Sequence, residues 1–266
     1  MSDRSNRWVL VAGASRGIGL ATTRLLLQEG YSIVASARNT ETLKTEALKE
    51  LKELKKLKEE FANLGEDRMK ILPFDFSDIE KLQEYALNVT QLTGGLSGLL
   101  YAAGMQKTLP LTQSNPVIAH EIFRLNTFAA FELIRLFAKK GAYRAEGASF
   151  VLLSSMAAHE GALGKALYGA SKGALEGFIP AAAAELAVRK IRLNALTLGV
   201  VRTDMSMEFL DKMSAEQKKS FEEGYPLGLG EPEDAAHFIV YLFSERARWI
   251  TGQTFVLDGG HSVRKG

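Results

Sequence analysis

Residues 151–175 read VLLSSMAAHEGALGKALYGASKGAL, and this stretch determines how the rest of the chain is interpreted. It follows directly on Phe150 and opens with an apolar run of strand length, which two serines end. A loop with two glycines comes next, and after it a helical pattern carries Tyr168 and Lys172. The stretch therefore predicts a buried strand, a loop and a helix in direct succession.

Tyr168 and Lys172 lie four residues apart, so on a helix they share one face with Cβ atoms roughly 5–6 Å apart. A free phenol has a pKa of about 10. A cation beside it favours phenolate and lowers the pKa, which makes Tyr168 a candidate general acid or base. Ser155, at the end of the strand, can direct its hydroxyl to the same place and hold a substrate oxygen. The alternative is a half-buried tyrosine beside a solvated lysine, which this spacing often gives by chance.

Composition limits the class of protein. The 266 residues suffice for one large domain or two small ones, and 46% hydrophobic with 24% charged residues is ordinary for a globular protein with a full core. A net charge of +2 gives no general field for nucleic acid. No run approaches the roughly 20 apolar residues that span a bilayer. We therefore expect neither a nucleic-acid partner nor membrane insertion.

Cysteine is absent and histidine is scarce. Without cysteine the chain cannot form disulfides, cysteine-ligated zinc or iron–sulfur sites, or a cysteine nucleophile. The four histidines are scattered, without HxxxH or HExxH spacing, so we expect no bound metal. The polar start MSDRSNRW, followed at once by a strand, does not resemble a signal peptide. These features predict a cytoplasmic protein.

A glycine-rich turn follows the first predicted strand. Residues 8–12 (WVLVA) are apolar, 13–19 read GASRGIG, and 20–29 (LATTRLLLQE) have a helical pattern that Gly30 ends. Glycines allow a tight turn and a close approach of a pyrophosphate, and the helix N-terminus offers free N–H groups and a positive dipole. The context favours dinucleotide binding, although the spacing is GxxxGxG and a plain strand–helix turn is the alternative.

Two arginines bear on which dinucleotide binds. Arg38 ends the second predicted strand, nineteen residues after Gly19, where an acidic residue would bind the ribose 2′-hydroxyl of NAD. An arginine there can instead bind a 2′-phosphate bidentately. Arg16 inside the glycine-rich turn adds a second positive charge. Together they predict NADP(H) as the cofactor; the alternative is that both are solvated surface arginines.

Strand and helix patterns alternate along the whole chain. This alternation predicts an α/β fold, a single-domain, doubly wound parallel sheet (Rossmann fold) of about seven strands with helices on both faces. No repeat, linker or low-complexity boundary divides the chain, so one domain is expected over residues 1–266. Strands are predicted at 8–12, 31–37, 69–74, 96–103, 150–153, 191–198 and 253–257. Helices are predicted at 20–29, 41–63, from a cap at Ser77 or Asp78 to 91, at 116–140, from the Tyr168 region to 189, and at 231–244.

Two segments depart from this regular pattern. Pro180 lies inside the long helical pattern, where proline removes a hydrogen bond, so a bend or a break is expected near Phe178. Residues 204–230 are polar, rich in methionine and punctuated by glycine and proline. That composition is typical of a mobile segment that covers a substrate.

The order of these motifs resembles that of the short-chain dehydrogenase/reductases, in the one-domain branch of about this length. The resemblance covers residues 9–260, and the set is specific although each motif is modest alone. The motifs are the GASRGIG turn at 13–19, Asp75 after the third strand, YAAG at 101–104 where the family has NNAG, Asn126, Ser155, Tyr168 with Lys172, and ITGQTFVLDGG at 250–260.

The resemblance implies a catalytic role for four residues. Tyr168 would be the acid/base, and Lys172 would lower its pKa and bind the nicotinamide ribose. Ser155 would hold the substrate oxygen, and Asn126 would hold a water in the proton relay. Hydride would move between the nicotinamide and a substrate carbon while Tyr168 exchanges the proton on oxygen.

The resemblance also implies a cofactor site. Asp75 and Phe76 would flank the adenine, and Val200 and Thr203 would hold the carboxamide. The residues expected to contact NADP(H) are Gly13, Ser15, Arg16, Gly17, Ile18, Gly19, Arg38, Asp75, Phe76, Ala102, Ala103, Gly104, Tyr168, Lys172, Gly199, Val200 and Thr203.

The chain departs from the family pattern at several positions. Tyr101 and Ala102 stand where NNAG has two asparagines, so a side-chain amide that braces the sheet is missing. Leu198 replaces a proline usual at the end of its strand, which would loosen the turn beside the nicotinamide. The helices that carry Asn126 and Tyr168 form the family's tetramer interface, so a homotetramer, or a dimer, is expected.

The expected reaction is NADP(H)-dependent reduction of a ketone to a secondary alcohol, or the reverse. The GASRGIG turn and the last motif are most similar to those of 3-oxoacyl-(acyl-carrier-protein) reductases, so an acyl thioester is one expected substrate. Lys139, Lys140, Arg144 and Arg189 could form a basic rim for an acidic carrier protein, or could be scattered surface charge. The alternatives are a reductase of a small ketone or keto-sugar and a non-catalytic NADP(H) sensor. His159 is expected to face solvent from a loop.

Overall fold

The computed structural model describes residues 6–38, 46–62 and 68–263, with residues 46–51 described by their backbone alone. Seven strands in these residues form one sheet, and every neighbouring pair is parallel. In chain order they are β1 (Trp8–Ala12), β2 (Ser32–Ser36), β3 (Met69–Ile71), β4 (Gly98–Tyr101), β5 (Ala148–Ser155), β6 (Ile191–Leu198) and β7 (Thr254–Leu257). The spatial order is β3-β2-β1-β4-β5-β6-β7, which confirms the predicted doubly wound sheet.

Helices connect the strands and cover both faces of the sheet. They are α1 (Gly17–Gln28), α2 (Glu46–Glu60), α3 (Leu82–Thr93), α4 (Pro116–Phe123), α5 (Ala129–Phe137), α6 (Ala166–Ala187), α7 (Asp204–Leu210), α8 (Ala215–Glu222) and α9 (Pro232–Phe243). A π-helical turn, Arg124–Phe128, joins α4 to α5. Of the helix predicted over 41–63, residues 41–45 and 63 lie outside the described residues. Within the described chain, no helix combines the length and the apolar sequence that spanning a bilayer requires.

The core forms on both faces of the sheet because side chains alternate along each strand. In β1, Leu10 and Ala12 belong to the cluster under α3, α5 and α6, whereas Val9 and Val11 belong to the cluster under α1, α2 and α9. All four side chains are fully buried. A strand buried on both faces needs apolar residues at every position, which is why this strand reads as a continuous apolar run.

The elements around the third strand differ most from those predicted. β3 ends at Ile71, before Pro73, because proline has no N–H group to donate to a strand ladder. Asp78 precedes the helical turn that follows but makes no side-chain capping hydrogen bond. Ser77 does not cap it either, since its N–H and its hydroxyl both donate to the Asp75 carboxylate. The predicted cap is therefore wrong.

The helix α6 runs unbroken through Pro180. Of the bend or break expected near Phe178, the break is therefore absent. Leu175, Ile179 and Ala183, on both sides of the proline, are at most 2% exposed, whereas Pro180 itself is exposed. Burial of this apolar face stabilises both halves of the helix and offsets the hydrogen bond that proline removes.

Residues 204–230 contain two short helices, α7 and α8, which the sequence patterns did not predict. The side chains and backbone N–H groups of Ser214 and Gln217 form a reciprocal capping box at the start of α8. Leu210, Tyr225 and Leu229 form a small buried cluster of their own. The segment is thus a folded unit beside the carboxyl end of β6.

The strand order reverses between β1 and β4, which are neighbours in the sheet although two strands separate them in sequence. In open α/β sheets, ligands bind outside the carboxyl ends of the strands at such a point. The two strand ends lie close together, since a Cβ built on Gly13 would be 2.7 Å from the backbone nitrogen of Ala103. The candidate site lies along this edge of the sheet.

Candidate active site

The glycine-rich turn joins β1 to α1 in a shape that side chains would block. Gly13 and Gly17 have φ angles of +90° and +50°, and a Cβ on Gly19 would lie 1.9 Å from the carbonyl oxygen of Gly13. Among the described residues, no side chain caps α1 and its first turn has no acidic residue. Its N–H groups and positive dipole end therefore suit an anion such as a pyrophosphate.

The two arginines predicted to select the cofactor lie at the same edge. Arg16 is exposed at the start of α1. Arg38 follows the end of β2, which is the neighbour of β1 in the sheet, and is partly buried. Ser15, between the glycines, is 4% exposed. The structure therefore places both positive charges along the edge that carries the glycine-rich turn.

The turn after β6 contacts the glycine-rich turn. A Cβ on Gly17 would lie 2.9 Å from Cγ2 of Thr203, the residue before α7. The N–H of Gly199 donates to the carbonyl of Leu257 at 2.9 Å, and the N–H of Val200 donates to the Tyr225 hydroxyl at 3.3 Å. These bonds hold the turn where the family usually has a proline, and the loosening expected from Leu198 stays a prediction.

Asp75 and Phe76 follow β3 but present different groups to the edge. The Asp75 carboxylate is partly buried and is held by the backbone and hydroxyl of Ser77 at 2.9 and 2.7 Å. The ring of Phe76 is 3% exposed and packs edge-on against Tyr85 and Tyr101. The ring of Phe76 therefore belongs to the core, and the contact with adenine expected at this position stays a prediction.

Gly104, after β4, lies between two of the predicted catalytic residues. A Cβ on Gly104 would be 3.4 Å from Oδ1 of Asn126 and 3.6 Å from Nζ of Lys172. A larger residue at position 104 would fill this space. The YAAG segment, the helix with Asn126 and the helix with Lys172 thus meet at one point.

Asn126 is held in the π-helical turn between α4 and α5. Its side chain is fully buried. Oδ1 accepts from the Met105 N–H at 2.8 Å, and Nδ2 donates to the Met105 carbonyl at 2.9 Å and to Oγ of Ser171 at 3.0 Å. Wider turns of this kind are frequent at functional sites. The amide of Asn126 is thus held by protein groups on both its oxygen and its nitrogen.

Tyr101, one of the departures from the family pattern, braces this same turn. Its ring is 1% exposed, and its hydroxyl donates to the carbonyl of Leu125 at 2.5 Å. Burial raises the pKa of Tyr101, so the phenol stays protonated and can donate. The missing asparagine amide is therefore replaced by a phenol that ties β4 to the residue before Asn126.

Tyr168 and Ser155 face each other in a buried setting. Tyr168 is 9% exposed, and burial raises its pKa, while a hydrogen bond with the Ser155 side chain acts in the opposite direction. Ser155 ends β5, and its Oγ also accepts the Ala157 N–H at 3.2 Å. The lowered phenol pKa that was expected from the Lys172 cation is therefore not found, because the effect of burial exceeds that of the hydrogen bond with Ser155.

Lys172 is buried beside Tyr168. It is 6% exposed, its Nζ lies 5.9 Å from the centre of the Tyr168 ring, and it donates to the Leu153 carbonyl at 2.7 Å. Burial lowers the pKa of Lys172 to about 8. This is not the arrangement of a half-buried tyrosine beside a solvated lysine, the alternative that the spacing left open.

The basic residues considered as a rim for a carrier protein lie elsewhere. Lys139, Lys140 and Arg144 stand between α5 and the start of β5, and Arg189 stands between α6 and the start of β6. In a parallel sheet, strand starts share the edge opposite the carboxyl ends. These four residues therefore do not border the candidate active site.

One charged residue near the site was missed in the sequence. Glu176 lies one helical turn after Lys172, and its side chain is 13% exposed. It binds His159, whose side chain is half exposed, through the Nε2 atom at 2.7 Å. His159 thus faces solvent only in part. The signal in the sequence was an acidic residue in an otherwise small and apolar stretch of α6.

The described residues contain no cluster of three or more histidine or acidic side chains that could hold a metal.

Known proteins resemble this chain over nearly its full length. A family model described as Enoyl-(Acyl carrier protein) reductase matches residues 13–262. Carbonyl reductase family member 4 of Xenopus laevis is 30% identical over 251 residues, which cover 94% of this chain and 95% of that protein. The 3-oxoacyl-(acyl-carrier-protein) reductase FabG of Rickettsia prowazekii is 31% identical over 263 residues, which cover 98% of each. A solved short-chain type dehydrogenase/reductase from Mycobacterium ulcerans matches with a TM-score of 0.86 at 29% identity and covers 98% of this chain and 91% of that one.

The chain belongs to the short-chain dehydrogenase/reductase family, as its motifs predicted. It is therefore an oxidoreductase, and its family binds a nicotinamide cofactor. The Rossmann-type sheet and the edge where β1 meets β4 agree with that class.

Proposed function

We propose that this protein is an NADP(H)-dependent oxidoreductase that interconverts a ketone and a secondary alcohol. The observation that carries the proposal is a connected set of four residues: Asn126 and Lys172 meet at Gly104, the Lys172 Nζ lies 5.9 Å from the centre of the Tyr168 ring, and Tyr168 bonds to Ser155. An acid/base, a hydroxyl that can hold an oxygen, and a cation are thus assembled at the carboxyl ends of two strands.

The residues of this edge suit a dinucleotide. The glycine-rich turn and the uncapped start of α1 support binding of a pyrophosphate. Arg16 and Arg38 supply positive charge at the edge, which supports NADP(H) over NAD(H). When bound, the nicotinamide would supply a hydride to the substrate carbon, or accept one from it.

Tyr168 would move the proton on the substrate oxygen. In reduction, its phenol gives a proton to this oxygen while the carbon gains a hydride, so a C–H and an O–H bond form as the C=O π bond is lost. Ser155 donates a hydrogen bond to the same oxygen and orients the carbonyl. The Lys172 ammonium stabilises the phenolate that remains, and the phenolate then regains a proton from solvent.

A 3-oxoacyl thioester is the first candidate substrate, because a 31% identical relative is named for that activity. The basic residues at the far edge do not support docking of a carrier protein. A small ketone or keto-sugar is the second candidate, and the relative named carbonyl reductase favours it. A non-catalytic NADP(H) sensor is disfavoured because all four side chains of the site are present.

We further propose one catalytic domain over residues 1–266, in which the segment 204–230 moves to cover the substrate. Contact between Gly17 and Thr203, beside the start of α7, supports a link between this segment and the cofactor site. We also propose a cytoplasmic homotetramer or dimer formed through α5 and α6. Exposed apolar side chains at Phe128 and Val188, near these helices, support it.

The experiment that tests the function follows oxidation of NADPH and NADH by the absorbance of the reduced nicotinamide. The substrates are an acetoacetyl thioester and a panel of small ketones and keto-sugars. Turnover of the thioester with NADPH supports the first candidate, and turnover of another ketone alone supports the second. Binding of NADPH without turnover of any carbonyl or alcohol would contradict the proposed reaction.

A further inference from the structure

A carboxylate behind the proposed catalytic residues, that of Glu176, is only 13% exposed and has no part in the reaction described above. Oε1 of Glu176 accepts from the hydroxyl of Ser154 at 2.6 Å and from the hydroxyl of Thr197 at 2.7 Å. Oε2 lies 2.7 Å from Nε2 of His159. Burying a carboxylate is unfavourable unless donors replace water, and here three side chains do so.

The first two donors tie α6 to the ends of two strands. Ser154 and Thr197 are direct partners across β5 and β6, and they are 4% and 0% exposed. Each is the last but one residue of its strand. One oxygen of Glu176 therefore holds both members of this pair against the helix that also carries Tyr168.

The third donor, His159, lies on the other side of Ser155 along the chain. Ser155 leads into a tight helical turn, Met156–Ala158, and His159 is the residue that ends this turn. Glu176 thus contacts the residue before Ser155 and the residue after the turn. With both sides held, the backbone that presents the Ser155 hydroxyl cannot easily rotate.

Lys172 acts on the same strand from one turn earlier in α6. Its Nζ donates to the carbonyl of Leu153. A lysine that also binds cofactor has to divide its donors between the two. Glu176 makes no contact that the proposed cofactor or substrate would need, so its hold on β5 does not depend on what is bound.

We propose that Glu176 is a positioning residue that holds the Ser155 hydroxyl in place toward Tyr168, acting through Ser154 and His159. This inference rests on the proposed function only for its kinetic consequence. The contacts themselves predict that exchange of the backbone amides in residues 154–159 is slowed by the network.

The test compares Glu176→Ala, Glu176→Gln and, as a control, Glu84→Ala at an exposed position of α3, outside the helices proposed for the subunit interface. Glu176→Ala should lower kcat by about 10- to 100-fold, because small misplacement of a catalytic group has effects of this order. KM for the cofactor and its Kd should stay close to wild type. Glu176→Gln should recover most of kcat, since its amide oxygen can accept from both hydroxyls and its NH₂ can donate to His159. Glu84→Ala should behave as wild type.

A pH profile separates positioning from general destabilisation. The Ser155 hydrogen bond acts to lower the pKa of Tyr168, and Lys172 is the charged group beside that phenol. In Glu176→Ala, loss of this hydrogen bond should raise the pKa of Tyr168. The part of the kcat–pH profile that reports titration of Tyr168 should therefore move to higher pH. An unchanged profile with unchanged kcat would overturn the inference.

Two further variants keep the inference testable if Glu176→Ala folds poorly. His159 is half exposed, so His159→Ala should fold; it should lower kcat and speed amide exchange at 154–159, and His159→Gln should restore both. Wild-type kcat and exchange in His159→Ala would overturn the inference while leaving the proposed function intact. If the wild type reduces no carbonyl, the proposed function fails, and amide exchange alone then decides the role of Glu176.

Discussion

The hydroxyl of Tyr101 donates a hydrogen bond to the carbonyl oxygen of Leu125, 2.5 Å away. This contact joins the end of β4 to the π-helical turn that contains Asn126. A π-helical turn leaves backbone groups without their usual partner one turn away, so an outside donor can stabilise it. Tyr101, which stands in place of an asparagine of the family motif, therefore ties the sheet to the turn that contains Asn126.

Tyr101→Phe should loosen the turn without changing the packing of the ring. The variant leaves the Leu125 carbonyl without its donor, which should lower the free energy of unfolding by about 1–3 kcal/mol. It should also reduce kcat severalfold through Asn126, with cofactor affinity unchanged. Urea unfolding and steady-state kinetics measure both effects.

Tyr85→Phe is the matched control for that prediction. Tyr85 is likewise buried, at 3% exposed, in the same aromatic cluster, and its hydroxyl lies 2.5 Å from Oγ of Ser36, away from Asn126. It should lose stability but keep kcat. Equal kcat losses in the two variants would show that Tyr101 acts only through stability.

Arg38→Asp should shift cofactor preference toward NADH. The change removes a charge-assisted contact with the 2′-phosphate and adds repulsion, worth about 1.5–3 kcal/mol, or roughly 10- to 150-fold in selectivity. The ratio of kcat/KM for NADPH and NADH measures it. Arg246→Asp, an exposed change of equal charge near the opposite edge, should leave the ratio unchanged. Unaltered selectivity in Arg38→Asp would rule out the role assigned to Arg38.

Tyr168→Phe should abolish turnover and leave binding of NADPH nearly intact. The ring remains, but the group that gives the proton to the substrate oxygen is lost. Fluorescence titration with NADPH and single-turnover assays separate binding from chemistry. Turnover at the wild-type rate would show that another group carries the proton.

Lys172→Met should change how stability depends on pH. Burial lowers the Lys172 pKa to about 8 from 10.5, so the folded state loses the proton at lower pH than the unfolded chain. Relative to its value at low pH, the free energy of unfolding is higher above the unfolded pKa of Lys172, where the lysine is neutral in both states. This gain is lost as the pH falls through the folded pKa, because the folded protein must then bury a charge. Between those values the unfolded chain binds more protons, and wild-type stability should rise with pH by up to about 3 kcal/mol from this group.

The measurement for Lys172 is urea unfolding of both proteins between pH 7 and 10.5. The stability of the wild type relative to Lys172→Met should rise across this range, because methionine does not titrate. Activity should be strongly reduced in the variant at every pH. A constant difference in stability would contradict a buried, titrating Lys172.

Local patterns in the sequence were sufficient for the fold class and for the proposed catalytic group. Continuous apolar runs such as 8–12 predicted strands buried on both faces, and β1 has the predicted bounds. The spacing of Tyr168 and Lys172 predicted one helical face because helix geometry relates residues four apart. The GASRGIG turn was recognisable because glycine is needed where the backbone turns with positive φ.

Contacts between distant residues were decided only by the tertiary structure. The Tyr101 hydroxyl meets a carbonyl 24 residues away, and Glu176 meets hydroxyls 22 and 21 residues away on two different strands. The sequence predicted a loss of bracing at Tyr101 and a bend or a break near Phe178, and it left open whether four basic residues form a rim or scattered surface charge. The structure has a tyrosine brace, a helix without a break, and the basic residues at the opposite edge. Local periodicity determines which face of an element is apolar, whereas strand register and helix packing determine which polar side chains meet, and these depend on the whole chain at once.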